Sequence, residues 1–166
     1  MTFDARTFRR IMRSLAAGVT VVTARDRQGR PWGLTATAVC LVSWEPPMLL
    51  VCIDRAAECH GPFAEAGSFA INVLREDQED LSRHFANTDV DKFAAVAWKD
   101  GGTGAPILDG ALAHVECRTA SCLPAGDHTI FLGTAVVGGA MADADAWAPL
   151  LRFRGEYARL ARQAPS

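Results

Sequence analysis

The spacing of apolar and polar residues separates a helical N-terminal segment from a largely extended remainder. Four apolar residues recur at helical spacing near the N-terminus: Phe8, Ile11, Met12 and Leu15. Arginines occupy the opposite side of the same segment, where a solvated helix face is the favoured interpretation and a docking surface the alternative. We therefore predict an amphipathic helix over residues 4–17, with Asp4 as its N-cap and Gly18 as its C-terminal glycine.

From residue 19 onward the pattern changes to β-branched and alternating residues, which are typical of strands. The predicted strands are 19–24, 32–39, 48–53, 68–74, 111–120 and 128–137, and short helices are predicted at 60–66 and 78–86. The glycine-rich segment 99–106 predicts a mobile loop, and residues 150–160 close the chain. This order predicts a mainly β fold with helices, an antiparallel barrel with helical decoration.

The strand predicted over 128–137 carries apolar residues on both faces. One face has Ile130, Leu132 and Val136, and the other has Phe131, Ala135 and Val137. A barrel strand covers only one of its faces with its own core, so the second face needs another partner. A homodimer interface is the simplest candidate for that partner.

Composition and charge narrow the class of protein. The chain has 166 residues, of which 49% are hydrophobic and 22% charged, which predicts a single domain over residues 1–166. A net charge of −2 argues against nucleic acid as a partner, and no apolar run is long enough to cross a membrane. Five cysteines without CxxC spacing indicate free thiols in a reducing cytoplasm and no metal site.

The sequence lacks the common catalytic signatures, including GxSxG, P-loop, HExxH and GxGxxG motifs. Its most informative segment is Gly33-Leu-Thr-Ala-Thr-Ala-Val39, interpreted as a strand that carries Thr35 and Thr37 on one face. Small alanines between the threonines would let a ligand approach the backbone closely. Such a strand suits a ligand with a phosphate and a polyol tail.

Three histidines and one lysine are further candidates for chemistry. His128 follows a Gly-Asp turn and could bond a bound ring or supply a proton, or could equally be satisfied by neighbouring backbone. His114 alternates with polar residues, among them Glu116, and is predicted to be exposed, whereas His84 is predicted to be structural. Lys92, beside Phe93, could contact a phosphate or lie on plain surface.

Several segments together, in this order, resemble the short-chain flavin reductases. The resemblance covers residues 5–160 and rests on GLTATAV, SWEPP, LLVCI, SFAINVL, LSRHFA, DKF, PILDGALAHVEC, AGDHTIFLG and FRGEY. It implies an FMN-binding split β-barrel, a Greek-key antiparallel barrel that forms a homodimer. It also implies an NAD(P)H-dependent reductase that transfers hydride to FMN or FAD and supplies reduced flavin to a separate oxygenase.

The resemblance also implies site residues, carried over by position. The ribityl chain and ring would contact Thr35, Ala36, Thr37 and Ala38, and the ring edge would contact Cys52, Ile53 and Asp54. The phosphate end would be held in part by Lys92 and Phe93. His128 would lie near flavin and nicotinamide as the catalytic residue. The nicotinamide side would be closed by Phe153, Arg154, Gly155 and Tyr157.

One segment departs from the family pattern. Family members often have an Asn and a Ser-rich stretch after the third strand, whereas this chain reads Asp54-Arg-Ala-Ala-Glu58. Each lost hydroxyl contact removes about 0.5–1.5 kcal/mol, so weaker flavin binding is expected. The phosphate contact would then come from Arg55, backbone amides or Lys92.

Two other functions remain compatible with the sequence. One is a flavin-binding carrier or redox sensor without turnover, and the other is a flavin-dependent reductase of a different acceptor, such as a ferric complex or corrinoid. NADH is favoured over NADPH because the sequence shows no arginine cluster dedicated to a ribose phosphate.

Overall fold

A computed structural model describes residues 3–160, so the two ends of the predicted domain 1–166 lie outside the described residues. The helices are α1 (Ala5–Met12), α2 (His60–Glu65), α3 (Glu79–Ala86) and a single 3₁₀ turn (Ala144–Ala146). The first six strands are β1 (Ala17–Gly18), β2 (Thr20–Arg25), β3 (Pro31–Ala36), β4 (Val39–Trp44), β5 (Pro47–Asp54) and β6 (Ser68–Val73). The other six are β7 (Trp98–Asp100), β8 (Pro106–Leu108), β9 (Ala113–Ala125), β10 (His128–Ala140), β11 (Leu151–Phe153) and β12 (Glu156–Ala158). No helix of residues 3–160 is long and apolar enough to cross a membrane.

The main sheet has seven strands in the order β3-β2-β6-β9-β10-β5-β4, and every neighbouring pair in it is antiparallel. Strands β1, β11 and β12 form a second sheet, and β7 pairs with β8. The amide of Cys52 donates to the carbonyl of Ala38 at 3.0 Å, which joins β5 to the chain just beyond β3. This bond continues the β4–β5 pairing by one residue toward β3. The prediction of a mainly β, antiparallel fold with helices is confirmed.

Strand β2 lies at the centre of the fold because its alternating side chains enter two separate cores. Val22 packs in a core with Phe69 and Phe131, whereas Val21 packs in a second core with Phe85 from α3. The continuous β-branched run from which this strand was predicted is therefore explained by burial of both strand faces.

Helix α1 is shorter than predicted. Asp4 caps it as expected and accepts from Arg6 N at 3.2 Å and Thr7 N at 3.1 Å, but the helix ends at Met12 rather than at residue 17. Gly18 is not a helix cap because it lies in β1 and pairs with Leu151. None of the helix residues is buried, so its apolar stripe does not pack on this protomer's core.

The segment 32–39 is also not a single strand. Strand β3 ends at Ala36, where its last pair is with Thr20, and the chain bends at Thr37. A further strand, β4, follows immediately and pairs with β5; the sequence interpretation missed it. The bend is needed because Ala38 must reach β5 while β3 stays paired with β2.

The segment 99–106 is a β-hairpin turn, contrary to the loop predicted there. Its ends belong to the paired strands β7 and β8, and residues 101–105 form the turn between them. Glu116 of β9 accepts hydrogen bonds from Gly102 N at 2.9 Å and from Thr103 N at 2.6 Å. His114, which was predicted to be exposed, is half-buried, and Glu116 on the same strand face is 1% exposed. Because the two partners are separated in sequence, strand alternation could not reveal this contact.

Candidate active site

The candidate site forms where β5 ends and β10 begins. The antiparallel register places His128 opposite Asp54 and Ile130 opposite Cys52. Beyond the paired region, Arg55 N donates to Asp127 O at 2.9 Å, so the loop after β5 is bound to the turn before β10. Two segments that the sequence separates by more than 70 positions therefore meet, as the resemblance implies.

His128 is held by its neighbour on the turn. Its Nδ1 lies 2.7 Å from Asp127 Oδ1, and its side chain is 40% exposed. The hydrogen bond from His128 lowers the pKa of Asp127, with further contributions from its own backbone and from the charges of His128 and Arg9. Within residues 3–160 Nε2 has no hydrogen-bond partner, so this nitrogen is available to a ligand.

The two threonines of the GLTATAV segment do not share a face. Thr35 Oγ1 donates to Ser82 O of α3 at 2.6 Å, which fastens β3 to that helix. Thr37 lies in the bend and is exposed, as is Ala38, whereas Ala36 is buried and its carbonyl accepts from Thr20. The shared face predicted for Thr35 and Thr37 is wrong, and Thr37 and Ala38 are the accessible residues of this segment.

The residues at the end of β5 differ strongly in accessibility. Ile53 is fully buried, so its side chain belongs to the core and only its backbone can face a ligand. Cys52 is half-buried, and burial raises the pKa of its thiol, which keeps it neutral. Asp54 Oδ1 accepts from Ala56 N at 2.8 Å and so shapes the loop that replaces the family's Ser-rich stretch.

Lys92 and Phe93 lie near the start of β3. Lys92 Nζ donates to Gly33 O at 3.1 Å and keeps two further donors. Phe93 is 9% exposed and packs edge-on against Phe85 and Trp98, with ring centroids 5.3 and 5.6 Å apart. Of the two residues, Lys92 therefore offers the polar group and Phe93 contributes mainly to packing.

The C-terminal segment forms a tight hairpin. Arg154 and Gly155 both have positive φ, 52° and 86°, as a two-residue type I′ turn between β11 and β12 requires. Phe153, before the turn, is 36% exposed. Tyr157 is fixed to α3, since its hydroxyl lies 2.8 Å from Ser82 Oγ.

A basic groove forms between α1, the bend after β3 and the hairpin turn. It has a volume of about 380 Å³, and its charged lining residues are Arg9, Arg13, Arg152 and Arg154. Thr37 also lines it, so the groove borders the accessible part of the GLTATAV segment. These four arginines do not form a cluster in the sequence, because two come from the N-terminal part of the chain and two from the C-terminal part. The arginine-rich face of the first helix was the one sequence signal that pointed to the groove.

His60 is a second histidine near the site that the sequence interpretation did not single out. Its Nε2 lies 2.8 Å from Thr129 Oγ1, and its ring packs edge-on against Phe131 at 5.8 Å between centroids. Both contacts fasten α2 to β10, so we interpret His60 as structural.

The surroundings fit a flavin. The exposed segment Thr37–Ala38 has little side-chain bulk, so a planar ring can approach its backbone. His128 lies on β10, which pairs with the same strand β5 that Ala38 contacts, and its Nε2 is accessible. Lys92 provides a cation at Gly33, which precedes Thr37 by four residues. In an extended strand this separation is roughly 13 Å, at 3.3 Å per residue. Ring and phosphate contacts are thus available at opposite ends of β3.

Comparison with known proteins agrees with this geometry. A family model described as the flavin reductase like domain matches residues 12–161. A flavin reductase (NADH) of Kitasatospora aureofaciens is 45% identical over 158 residues, covering 94% of this chain and 82% of that protein. The reductase subunit HsaB of a flavin-dependent monooxygenase from Rhodococcus jostii is 34% identical over 154 residues, covering 93% and 77% of the two chains.

A solved structure supports the same grouping at the level of the fold. The NADH:FAD oxidoreductase SgcE6 of Streptomyces globisporus, in complex with NAD and FAD fragments, superimposes with a TM-score of 0.89 at 36% identity and covers 99% of each chain. Since family model, sequence relatives and fold all agree over nearly the whole length, the chain belongs to the flavin reductase like domain family.

Proposed function

We propose that this chain is an NAD(P)H-dependent flavin reductase that reduces FMN or FAD and passes reduced flavin to a separate oxygenase. The observation that carries the proposal is the register of β5 and β10, which sets His128 opposite Asp54 beside the exposed Thr37–Ala38 segment. The named activities of the relatives, an NADH-dependent flavin reductase and a monooxygenase reductase subunit, support it. The flavin, when bound, supplies the capacity to accept hydride from reduced nicotinamide.

The residues of the chain bind and orient the reactants. Thr37 and Ala38 approach the ring through backbone and hydroxyl groups, and the backbone of Cys52–Asp54 borders its edge. Lys92 and Arg55 offer cations to the phosphate in place of the missing serines. His128 presents Nε2 to the nicotinamide side, with Asp127 fixing the ring orientation through Nδ1.

The carried-over C-terminal residues act on the nicotinamide side in different ways. Arg154 lines the basic groove next to Thr37, where it can attract the phosphates of a nicotinamide dinucleotide. Tyr157 acts indirectly, since its hydroxyl is bound to Ser82 of α3. Phe153 and Gly155 complete the hairpin that holds Arg154 in place.

The proposed assembly is a homodimer of single-domain split β-barrels. Part of the outer face of the main sheet is apolar, because Leu123 and Ile130 are cross-strand neighbours, as are Leu132 and Leu50. Trp44 at the end of β4 is 82% exposed in the isolated protomer. Surfaces of this kind mark association sites, which supports the homodimer inferred from the two apolar faces of β10.

We also place the protein in a reducing cytoplasm. All five cysteines are free thiols, and two of them, Cys59 and Cys117, are buried. Burial raises the pKa of Cys117 to about 11, so this thiol stays protonated and unreactive at neutral pH. Free thiols without pairing support the compartment expected from cysteine usage.

The test is anaerobic oxidation of NADH and NADPH by the purified protein, with FMN and FAD added in turn. Catalytic flavin reduction supports the proposal, whereas flavin binding without turnover would identify a carrier or sensor. Turnover that requires an added ferric or corrinoid acceptor would identify the third function.

The role of His128 is tested separately with His128→Ala. We expect this variant to lower kcat/KM for the nicotinamide by about a hundredfold or more, as for loss of a positioned acid or base. Flavin affinity should change less than twofold. An unchanged rate of nicotinamide oxidation would contradict the role.

A further inference from the structure

Six arginines lie together on one surface formed by α1 and the β11–β12 hairpin. Four of them line the basic groove, and four line a depression along α1. Arg9 and Arg13 line both hollows, so the two form one continuous surface. We call it the arginine surface, and its residues are Arg6, Arg9, Arg10, Arg13, Arg152 and Arg154.

The charge of the arginine surface is not balanced by neighbouring carboxylates. Within residues 3–160 none of its six guanidinium groups forms a salt bridge. Asp4 is engaged as the N-cap of α1, and Asp127 is bound to His128. The surface holds six of the 17 basic residues of a chain whose net charge is −2, so the rest of the protein is acidic. An anionic partner is therefore expected at this surface.

The two arginines of the hairpin are already held in place. The guanidinium carbon of Arg152 lies 4.5 Å from the ring centroid of Tyr157. That of Arg154 lies 5.0 Å from the ring centroid of Phe153. Stacking on a ring face restrains a guanidinium and leaves the N–H groups at its edge free to bind an anion. Arg154 N also donates to Arg13 O at 2.8 Å, which fastens the hairpin to the end of α1.

Helix α1 also carries exposed apolar side chains beside its arginines. Phe8, Ile11 and Met12 are 51%, 53% and 45% exposed. Met12 lines the basic groove together with Arg9 and Arg13. Arginine, methionine and aromatic residues are enriched where proteins bind other proteins. A small anion would need only the charges, so this combination favours a protein as the partner.

Other polyanions fit this surface less well. A nucleic acid or an anionic bilayer is charged over a greater length or area than the arginine surface, so its remaining phosphates would face the acidic remainder of the protein. A folded protein can present a few carboxylates matched in size to α1, which is about 12 Å long for its eight residues.

The arginine surface borders the place where the proposed function puts the flavin. Thr37 lines the basic groove and is exposed. Because Thr37 and Ala38 approach the flavin ring in that function, a protein seated on the groove would lie at the exit of the flavin site. That position suits a protein that takes up reduced flavin.

We propose that the arginine surface docks an acidic surface of the protein that receives reduced flavin. The inference rests on the proposed function, because it specifies the partner of that same site. Opposite charges bring two proteins together faster and favour one orientation, and docking at the groove shortens the path of the reduced flavin. Arg9 and Arg13 belong both to the docking surface and to the groove, so the partner competes there with the nicotinamide dinucleotide.

The test uses a short fluorescein-labelled poly-L-glutamate as the acidic probe, with binding followed by fluorescence anisotropy at low ionic strength. The wild-type protein should bind this probe saturably, and raising the ionic strength to a physiological value should weaken binding at least tenfold. Arg6→Gln/Arg10→Gln should raise the dissociation constant at least fivefold. Both arginines lie outside the basic groove, so NADH oxidation with FMN should stay within twofold of the wild type.

Arg27→Gln/Arg118→Gln is the matched control, because both residues are exposed, lie outside the arginine surface and change the net charge by the same amount. Equal loss of binding in this control, or unchanged binding in the α1 variant, would overturn the proposal. Tighter binding of oligothymidylate or of phosphatidylserine vesicles through Arg6 and Arg10 would also overturn it, in favour of a nucleic acid or a membrane. A shift of the sedimentation equilibrium in the α1 variant would instead assign the surface to a contact between copies of this chain and overturn the proposal.

A final measurement links the docking surface to the flavin site. Saturating poly-L-glutamate should raise KM for NADH at least threefold, since Arg9 and Arg13 line the groove, and the α1 variant should need at least fivefold more probe for the same rise. An unchanged KM at saturation would place the probe away from the site and overturn the proposal. Failure of the proposed function would show differently, as absence of FMN reduction by NADH without any probe present.

Discussion

Replacing Glu116 by glutamine should destabilise the fold substantially. The carboxylate is almost fully buried and accepts three hydrogen bonds, one from Gly102 N at 2.9 Å and two from Thr103, through N and Oγ1, at 2.6 Å each. Glutamine has nearly the same shape but replaces one acceptor oxygen with a donor NH₂ group. One backbone donor of the hairpin turn would therefore lose its acceptor.

The magnitude follows from these three bonds. A hydrogen bond to a charged group contributes about 1.5–3 kcal/mol, and a buried donor left unpaired costs about 1–3 kcal/mol. The favoured glutamine rotamer keeps Thr103 paired, gives up the bond from Gly102 and exchanges charged bonds for neutral ones. Removing the charge also removes its desolvation cost, so we expect a net loss of about 2–4 kcal/mol. For a chain of this size that corresponds to about 4–16 °C in Tm.

The assay is urea unfolding at pH 7 and at fixed protein concentration, since an associating protein gains stability with concentration. Glu65→Gln is the matched control, because Glu65 is exposed and its ion pair with Arg27 at 3.3 Å should contribute no more than about 1 kcal/mol. A difference below 1 kcal/mol between wild type and Glu116→Gln would refute the reasoning.

The pH dependence gives an independent check on the same residue. Burial raises the pKa of Glu116, but the hydrogen bonds from Thr103 and Gly102 outweigh it, so the pKa lies below the ordinary value. A carboxyl with a depressed folded-state pKa stabilises the fold fully above its unfolded pKa, about 4.3, and loses this contribution as pH falls through the folded value. The stability difference between wild type and Glu116→Gln should therefore be constant from pH 8 to pH 6 and shrink below about pH 4. A difference that grows on acidification would contradict this assignment.

Three further predictions concern packing, the network at α3 and assembly. Gly133→Ala should destabilise the protein by about 1–3 kcal/mol in urea unfolding, because a Cβ at this position would lie 2.6 Å from a phenylalanine ring. The control is Gly18→Ala, whose Cβ would have nothing within 4 Å, and it should change the free energy of unfolding by less than about 0.5 kcal/mol. Equal effects of the two variants would show that the core yields at Gly133. Tyr157→Phe should cost about 0.5–1.5 kcal/mol by loss of the hydroxyl contact with Ser82, and thermal unfolding that matches the wild type would show that water replaces it. Sedimentation equilibrium should find a dimer that Trp44→Glu weakens, and a monomeric wild type would contradict the homodimer.

The sequence located correctly the strands whose β-branched or apolar composition is itself typical of buried strands. Residues 19–24 and 68–74 were predicted within one or two positions of β2 and β6, because a β-branched or apolar run has no comparable helical alternative. The cap at Asp4 was equally local, since its carboxylate bonds amides two and three residues away. The predictions that depended on one continuous element, helix 4–17 and strand 32–39, were too long.

The sequence by itself determined the family and the residues that could carry chemistry, because motif order and strand periodicity are local properties of the chain. The tertiary structure alone decided which of those residues are accessible. Thr35 is tied to Ser82, 47 positions away, while Thr37 two residues later is exposed, and no local pattern distinguishes the two hydroxyls. The burial of Glu116 could not be predicted for the same reason, since the amides that it binds belong to another hairpin. Such contacts form only when strand pairing closes long loops, so they depend on the whole fold rather than on neighbouring residues.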